Sequence, residues 1–224
     1  MASDDLIHLA DNKYNRLLSV LFMLLVSLAL PNSQSLLKAI GCSFCLIVLL
    51  SVVHLTKQNK WLARLYSLLI IVSLVLILFR FLGLFPIRSV RYSELVIDSL
   101  LFILIALPIV PIQKEVFSTR RVTADTIKGG ISIYLLLGLA WAIFYNAIYG
   151  LNPDGFSGIS LEYQADLLHF SFVTLTTVGY GNITPLGPVA RIAADLEAIT
   201  GVMYSSILLA RLVSLYNTPS QEAP

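Results

Sequence analysis

Long apolar stretches make up most of the chain, and short polar or proline-containing breaks separate them. Each of them reaches or approaches the roughly 20 residues that a helix needs to cross a hydrocarbon core about 30 Å thick. The six stretches cover residues 16–30, 36–55, 62–85, 95–112, 130–149 and 189–215. Nearly all charged residues fall between them, as in proteins that cross a membrane several times. The pattern predicts an all-α integral membrane protein with six transmembrane helices.

A half-length apolar segment lies between the fifth and sixth long stretches. Residues 151–158, LNPDGFSG, form a Gly- and Pro-containing loop, and the apolar segment over residues 163–176 that follows is too short to cross a bilayer. Irregular backbone at membrane depth must be buried in protein or must line a water-filled cavity. The sequence therefore predicts a re-entrant half-helix over residues 163–176.

Two prolines, Pro108 and Pro111, stand near the end of the fourth stretch. Proline lacks a backbone donor and crowds the preceding turn, so a helix kinks or ends there. We expect the fourth helix to end near residue 112. Residues 113–128 are then predicted to cross to the next helix along the membrane surface.

Composition narrows the classes of function. Of the 224 residues, 57% are hydrophobic and 12% are charged, so a soluble domain would lack polar groups to cover its surface. The formal net charge of +2 is too small to indicate nucleic-acid binding. No grouping of His, Asp, Ser or metal ligands in the sequence indicates an enzyme or a soluble substrate. Cys42 and Cys45 lie in an apolar stretch, where small packing residues are favoured over a redox or metal site.

The distribution of basic residues favours a topology with both termini in the cytoplasm. Under that topology ten Lys and Arg residues lie inside and five lie outside, in agreement with the positive-inside rule. The cluster of Arg80, Arg88 and Arg91 on the outside is an irregularity. The opposite topology would place the ten basic residues outside, against the positive-inside rule.

The segment after the half-helix carries the chemistry. It reads SFVTLTTVGYGNITP from Ser171, and its glycines, Gly179 and Gly181, permit backbone angles that turn successive carbonyls toward one axis. Residues 176–181, TTVGYG, resemble the selectivity filter of the potassium channel superfamily. The resemblance implies that potassium ions bind here, with no other cofactor. Their hydration shell would be replaced by the Thr177 hydroxyl and by the carbonyls of Thr177, Val178, Gly179 and Tyr180, with Gly181 completing the filter.

The oligomeric state follows from the number of these segments. The chain has one, and a single strand cannot surround an ion, so the resemblance implies a cyclic homotetramer with the pore on the fourfold axis. Residues 163–176 would be the pore helix, whose carbonyl end favours a cation in the central cavity. Val173, Thr174, Thr176 and Asn182 are the residues expected to support the filter.

The resemblance divides the chain into regions. The match is to the pore module, and the four helices before it resemble six-helix channels of the prokaryotic type that have a single pore loop and lack an arginine ladder. The predicted regions are a cytoplasmic N terminus (1–15), a four-helix transmembrane domain without gating charges (16–112), a cytoplasmic linker (113–128), the pore domain (129–216) and a cytoplasmic tail (217–224). Because residues 95–112 contain no Arg or Lys, strong voltage dependence is not expected.

Two positions depart from the bacterial two-helix channels that this module resembles. Those channels have a glutamate in the pore helix and an aspartate after the filter, where this chain has Val173 and Asn182. In the last helix, Arg191 and Gly201 stand ten apart, as the matching arginine and hinge glycine do. Gly201 is therefore a candidate gating hinge or, equally, a small residue for close helix packing.

Several polar residues in the predicted membrane region have two interpretations each. Glu197 is either a buried carboxylate bonded to a neighbouring subunit, the favoured interpretation, or a proton-sensitive group behind the pore helix. His169 is better explained as a packed ring than as a pH sensor. Arg120 and Arg121 either bind anionic lipid head groups or determine topology.

The predicted function is passive, potassium-selective conduction across the plasma membrane. A potassium uptake transporter subunit is an alternative, although such proteins place four filter loops in one chain. A weakly selective cation channel is another, although it would be expected to alter Tyr180 or a filter glycine, and none is altered.

Overall fold

The computed structural model describes residues 13–28, 60–82, 90–119, 122–160 and 165–216. These residues are mostly helical, with a short two-stranded antiparallel sheet. The helices in chain order are α1 (Lys13–Leu28), α2 (Lys60–Phe81), α3 (Val90–Ala106), α4 (Ile109–Ser118), α5 (Ala124–Leu151), α6 (Asp166–Leu175) and α7 (Pro188–Tyr216). A 3-10 turn (Pro153–Gly155) precedes strand β1 (Phe156–Ser157), which pairs with strand β2 (Thr184–Pro185).

Three helical stretches within the described ranges are long and apolar enough to cross a membrane. They are Glu94–Ser118, Ala124–Leu151 and Pro188–Leu215. Shorter apolar helices cover Tyr14–Leu28, Tyr66–Leu76 and Asp166–Leu175, the last of which is the predicted half-helix. The second predicted helix, residues 36–55, lies outside the described residues, so the count of six transmembrane helices stays a prediction.

The region after α3 is more helical than the prolines predicted. Helix α4 begins after Pro108 and runs through Pro111, which occupies its first turn. Backbone N–H groups in a first turn have no helical acceptor, so a proline there costs no hydrogen bond. The first part of the predicted linker, up to Ser118, is therefore helical.

Helix α5 begins at Ala124, earlier than the apolar run that predicted it. A capping box explains the early start, because the Thr123 hydroxyl accepts from the Thr126 N–H at 3.1 Å. In return, the Thr123 N–H donates to the Thr126 hydroxyl at 3.4 Å. Asp125 in the first turn complements the helix dipole. These polar residues lie outside the hydrophobic pattern and so escaped it.

Helix α5 is the centre of the described fold. It packs against α1, α3, α4, α6 and α7. One apolar core lies between α5 and the helices before it and includes Leu17, Leu104, Ile112, Ile133 and Leu136. A second core joins α5 to α6, the sheet and α7 around Tyr145, Phe156, Phe170, Ile183 and Ala193. The half-helix is thus held against the fold by aromatic packing.

Glycines bring the half-helix α6 into backbone contact with its neighbours. A Cβ added at Gly201 of α7 would lie 1.9 Å from the carbonyl oxygen of Leu175, the last residue of α6. A Cβ added at Gly138 of α5 would lie 2.6 Å from the ring of Phe172. Helix α7 continues unbroken through Gly201. The described structure gives Gly201 a close-packing role, and its role as a hinge stays a prediction.

The contact at Gly201 predicts a specific loss of stability. Gly201→Ala should lower the free energy of unfolding by about 1–3 kcal/mol, because the methyl group meets backbone that cannot rotate away. Thermal melting followed by circular dichroism in detergent would measure the change. Gly150→Ala is the matched control, since its Cβ would lie an ordinary 3.5 Å from Leu95. Equal melting temperatures for the two variants would contradict the packing role.

Candidate functional site

The backbone between α6 and β2 alternates in handedness. The angle φ is +59° at Thr177, +59° at Gly179 and +74° at Gly181, whereas Val178 and Tyr180 between them lack positive φ. In an extended strand successive carbonyls point to opposite sides, and reversing the handedness at every second residue turns them to the same side. The alternation therefore suits a row of oxygen ligands along one side of the segment.

Thr177 is the one non-glycine residue with positive φ in the part of the chain that the structure describes. A side chain in this conformation costs of order 1–3 kcal/mol, and such strain tends to occur at functional positions. A Cβ added at Gly179 would have no atom within 4 Å. At Gly179, therefore, the backbone angle rather than space favours glycine.

The N–H groups of this segment fold back onto the half-helix. Val178 and Gly179 both donate to the Val173 carbonyl, at 3.0 and 3.3 Å, and Thr177 donates to the Thr174 carbonyl at 2.9 Å. The Thr176 hydroxyl donates to the Phe172 carbonyl at 2.6 Å. The N–H groups of residues 177–179 are therefore already hydrogen-bonded to α6. The predicted supporting residues Val173, Thr174 and Thr176 act here through backbone carbonyls and one hydroxyl.

Two large side chains of the segment are exposed in the single chain. Val178 is 54% exposed and Tyr180 is 70% exposed, unusual values for large apolar side chains that follow a packed half-helix. The ring of His169 stacks on Tyr180 with 5.9 Å between the centroids and 7° between the planes. His169 thus serves as a ring partner of a segment residue. Asn182 is exposed, and its carbonyl oxygen lies where a Cβ at Gly158 would be.

A buried polar cluster links α5, α6 and α7 behind this segment. Glu197 of α7 has no exposed surface. Its Oε1 lies 2.6 Å from the Ser171 hydroxyl of α6, and its Oε2 accepts from the Tyr145 hydroxyl of α5 at 2.6 Å. Ser171 also donates to the Gly138 carbonyl at 2.7 Å. Both oxygens of Glu197 are thus bonded within its own chain. A bond to a neighbouring subunit, which was the favoured interpretation from the sequence, stays a prediction.

Sequence reasoning missed the partners of Glu197. Ser171 and Tyr145 were not singled out, although a small polar residue in an apolar half-helix and an acid at mid-depth of the last helix were the available signals. It also missed Tyr134, whose hydroxyl donates to the Leu175 carbonyl at 3.1 Å. These residues fix the end of α6, from which the irregular segment starts.

Chemically, a row of backbone oxygens along one side of residues 177–181 would suit a bound cation. The residues that the structure describes include no group of three or more His, Cys, Asp or Glu that could hold a metal ion. The Arg191 side chain donates to the Pro185 carbonyl at 3.2 Å, which ties α7 to strand β2. Arg120 and Arg121, the predicted lipid contacts, lie outside the described ranges.

Comparisons with known proteins identify the same region. A family model described as "Ion channel" matches residues 133–217. Protein LctB of Bacillus caldotenax is 31% identical over 106 residues, which are 44% of this chain and 78% of that protein. Two-pore potassium channel 5 of Arabidopsis thaliana is 38% identical over 82 residues, 37% of this chain but 18% of that protein.

The inward rectifier potassium channel Kirbac3.1 of Paramagnetospirillum magnetotacticum is 27% identical over 99 residues, covering 38% of this chain and 34% of that protein. No solved structure matches the chain significantly. The matches confirm the resemblance to the potassium channel superfamily and, together with the apolar helices, indicate a membrane-embedded channel protein and not an enzyme. The chain belongs to the potassium channel superfamily.

Proposed function

We propose that the chain conducts potassium selectively and passively through a pore built by four copies of residues 177–181. The observation that carries the proposal is the alternating φ at Thr177, Gly179 and Gly181, combined with N–H groups directed back to α6. Such a strand can direct its carbonyl oxygens to one side, because the N–H groups of residues 177–179 are used on α6. Potassium would lose its hydration shell to the carbonyls of residues 177–180 and to the Thr177 hydroxyl.

The tetramer is supported by surfaces that a single chain leaves open. Each chain has one filter segment, and four are needed to enclose an ion. Helix α7 is also poorly covered in the single chain: 11% of its apolar stretch is buried, against 50% for α5. Ile192, Leu196 and Ile199 are each more than half exposed. Neighbouring subunits and lipid would cover this helix in an assembled pore.

The end of α6 supports a cation in the pore. A helix C terminus carries the negative end of the macrodipole, equivalent to about half an elementary charge. Helix α6 ends at Leu175, immediately before the filter. Because the Leu175 carbonyl is fixed by Tyr134 and packed on Gly201, its position relative to the filter is defined.

The alternatives differ in what they require. A potassium uptake transporter would need four filter loops in one polypeptide, and a weakly selective channel would be expected to change Tyr180 or a filter glycine. We place the pore in the plasma membrane with both termini in the cytoplasm, on the distribution of basic residues. Anionic lipid near Arg120 and Arg121 belongs to the same proposal.

The first test is ion selectivity. In bilayers with potassium on one side and sodium on the other, the reversal potential of the current through purified wild-type protein should show that potassium is far more permeant than sodium. Gly179→Ala should abolish potassium current, because alanine disfavours φ of +59° by about 1–2 kcal/mol and would turn a carbonyl from the axis. Gly150→Ala should conduct as wild type does.

Equal permeability to sodium and potassium would indicate the weakly selective channel instead. A monomer in solution, measured by native mass spectrometry, would remove the tetramer. Unchanged potassium selectivity in Gly179→Ala would contradict the role given to the alternating backbone.

The second test concerns voltage. Helix α3 begins at Val90, so Arg91 lies in its first turn and not in the loop that the sequence predicted. It is the only Lys or Arg in α3, and one charge crossing the whole field contributes about 2.3 kcal/mol per 100 mV. We expect a shallow conductance–voltage curve that Arg91→Gln leaves unchanged. A steep curve in purified wild-type channels would overturn this expectation.

The third test concerns Val173 and Asn182, the two positions where the bacterial two-helix channels have carboxylates and this chain does not. Our hypothesis is that a pair of acids behind the filter promotes inactivation in the channels that have it. Restoring the pair in Val173→Glu with Asn182→Asp should then speed the decay of macroscopic current during sustained opening. The two single variants are the controls. Decay identical to wild type in the double variant would count against the hypothesis.

A further inference from the structure

The contacts around Glu197 form a continuous chain of three short oxygen–oxygen distances. The Tyr145 hydroxyl lies 2.6 Å from Oε2, the Ser171 hydroxyl lies 2.6 Å from Oε1, and the same Ser171 oxygen lies 2.7 Å from the Gly138 carbonyl. All three are within the range of O–H···O hydrogen bonds. The chain runs from α7 through the half-helix to two positions on α5.

Counting protons along this chain determines the state of the carboxyl group. Three oxygen–oxygen contacts require three protons. Tyr145 and Ser171 supply one hydroxyl proton each, and the Gly138 carbonyl supplies none. If Glu197 were ionised, either the Ser171–Gly138 or the Ser171–Glu197 contact would bring two lone pairs together without a proton. A third proton on Oε1 of Glu197, donated in a hydrogen bond to Ser171, gives every contact its own proton, and the Ser171 proton then goes to Gly138 instead of being shared between two acceptors.

The surroundings of Glu197 favour the neutral form for an independent reason. The side chain has no exposed surface, and no Lys or Arg bonds to it among the residues that the structure describes. An unpaired carboxylate at membrane depth would be very costly, whereas a neutral acid with both oxygens bonded is not. Tyr145 is the only titratable group bonded to it there.

The cluster is close to the filter along α6. Ser171 stands two residues before Val173, whose carbonyl receives the N–H groups of Val178 and Gly179. On the same face of α6, one turn further along, Leu175 is packed on by Gly201, which lies one turn along α7 from Glu197. The cluster thus fixes the rotation and depth of the helix that holds the filter backbone.

We propose that Glu197 is a neutral carboxylic acid that donates a hydrogen bond to the Ser171 hydroxyl and thereby acts as a positioning residue for the filter. The positioning role rests on the proposed channel function, whereas the protonated state does not. Glu197→Gln keeps a neutral group that can donate to Ser171 and accept from Tyr145. Glu197→Leu keeps the approximate volume but removes both hydrogen bonds.

Infrared difference spectroscopy tests the protonated state without any current. Wild-type protein at neutral pH should show a carboxylic acid C=O band that is absent in Glu197→Gln and that shifts in Ser171→Ala, which removes its acceptor. Glu197→Gln should melt at the wild-type temperature. Identical wild-type and Glu197→Gln spectra in the carboxylic acid region, or a large loss of melting temperature in Glu197→Gln, would overturn the assignment.

Single-channel recording tests the positioning role. Glu197→Leu should still assemble but should have a lower open probability or a lower potassium selectivity than wild type. Glu197→Gln should have values of both close to those of wild type. Open probability and selectivity that are the same in Glu197→Leu, Glu197→Gln and wild type would overturn positioning, even with the band present. Absence of potassium current in wild-type protein would refute the proposed function and leave the infrared result standing.

Discussion

The position of the half-helix α6 is the constraint on which the rest of the structure depends. An irregular strand at membrane depth is tolerated only where its backbone groups are satisfied by protein or face a water-filled cavity. Here the N–H groups of residues 177–179 return to carbonyls of α6, so the strand can be no better ordered than the helix. The helix in turn is fixed by backbone contact with Gly201 and by hydrogen bonds through Ser171 and Tyr134.

The sequence was sufficient for the elements whose signals are local. Apolar length predicted the helices over residues 130–149 and 189–215, and a shortened apolar segment between them predicted α6. The irregular backbone after α6 was predictable because Gly179 and Gly181 permit positive φ, and the structure has it at both. The matching family model covers this same part of the chain. A site built from backbone groups can thus be recognised from a short segment of the sequence.

Features that depend on distant pairs were not predictable. Tyr145 and Glu197 are 52 positions apart, and Ser171 and Glu197 are 26 apart, so no spacing rule connects them. The helical linker was missed for a different reason. Pro108 and Pro111 predicted a kink or an end of the fourth helix, and a two-residue turn does separate α3 from α4, but Pro111 lies in the first turn of α4, where it is tolerated. The capping box at Thr123 lies outside the apolar pattern.

The two ends of α7 are attached to different parts of the fold. Near its start, Arg191 bonds to strand β2, and Glu197 and Gly201 contact the elements that hold the filter. Toward its other end, Arg211 donates to the carbonyls of Phe117 and Thr119, at 3.2 and 3.3 Å.

These two carbonyls lie at the C terminus of α4, where the last carbonyls of a helix have no partner within it and carry the negative end of its dipole. A cationic side chain from α7 satisfies both needs, so α4 and the far end of α7 are joined by charge-assisted bonds. Because α4 follows α3 after a two-residue turn, this contact joins the end of α7 that is far from residues 177–181 to the helices that precede α5. Between these two ends, the Tyr204 hydroxyl donates to the Gly130 carbonyl of α5 at 2.8 Å, so α7 is bonded to the rest of the fold on both sides of Gly201.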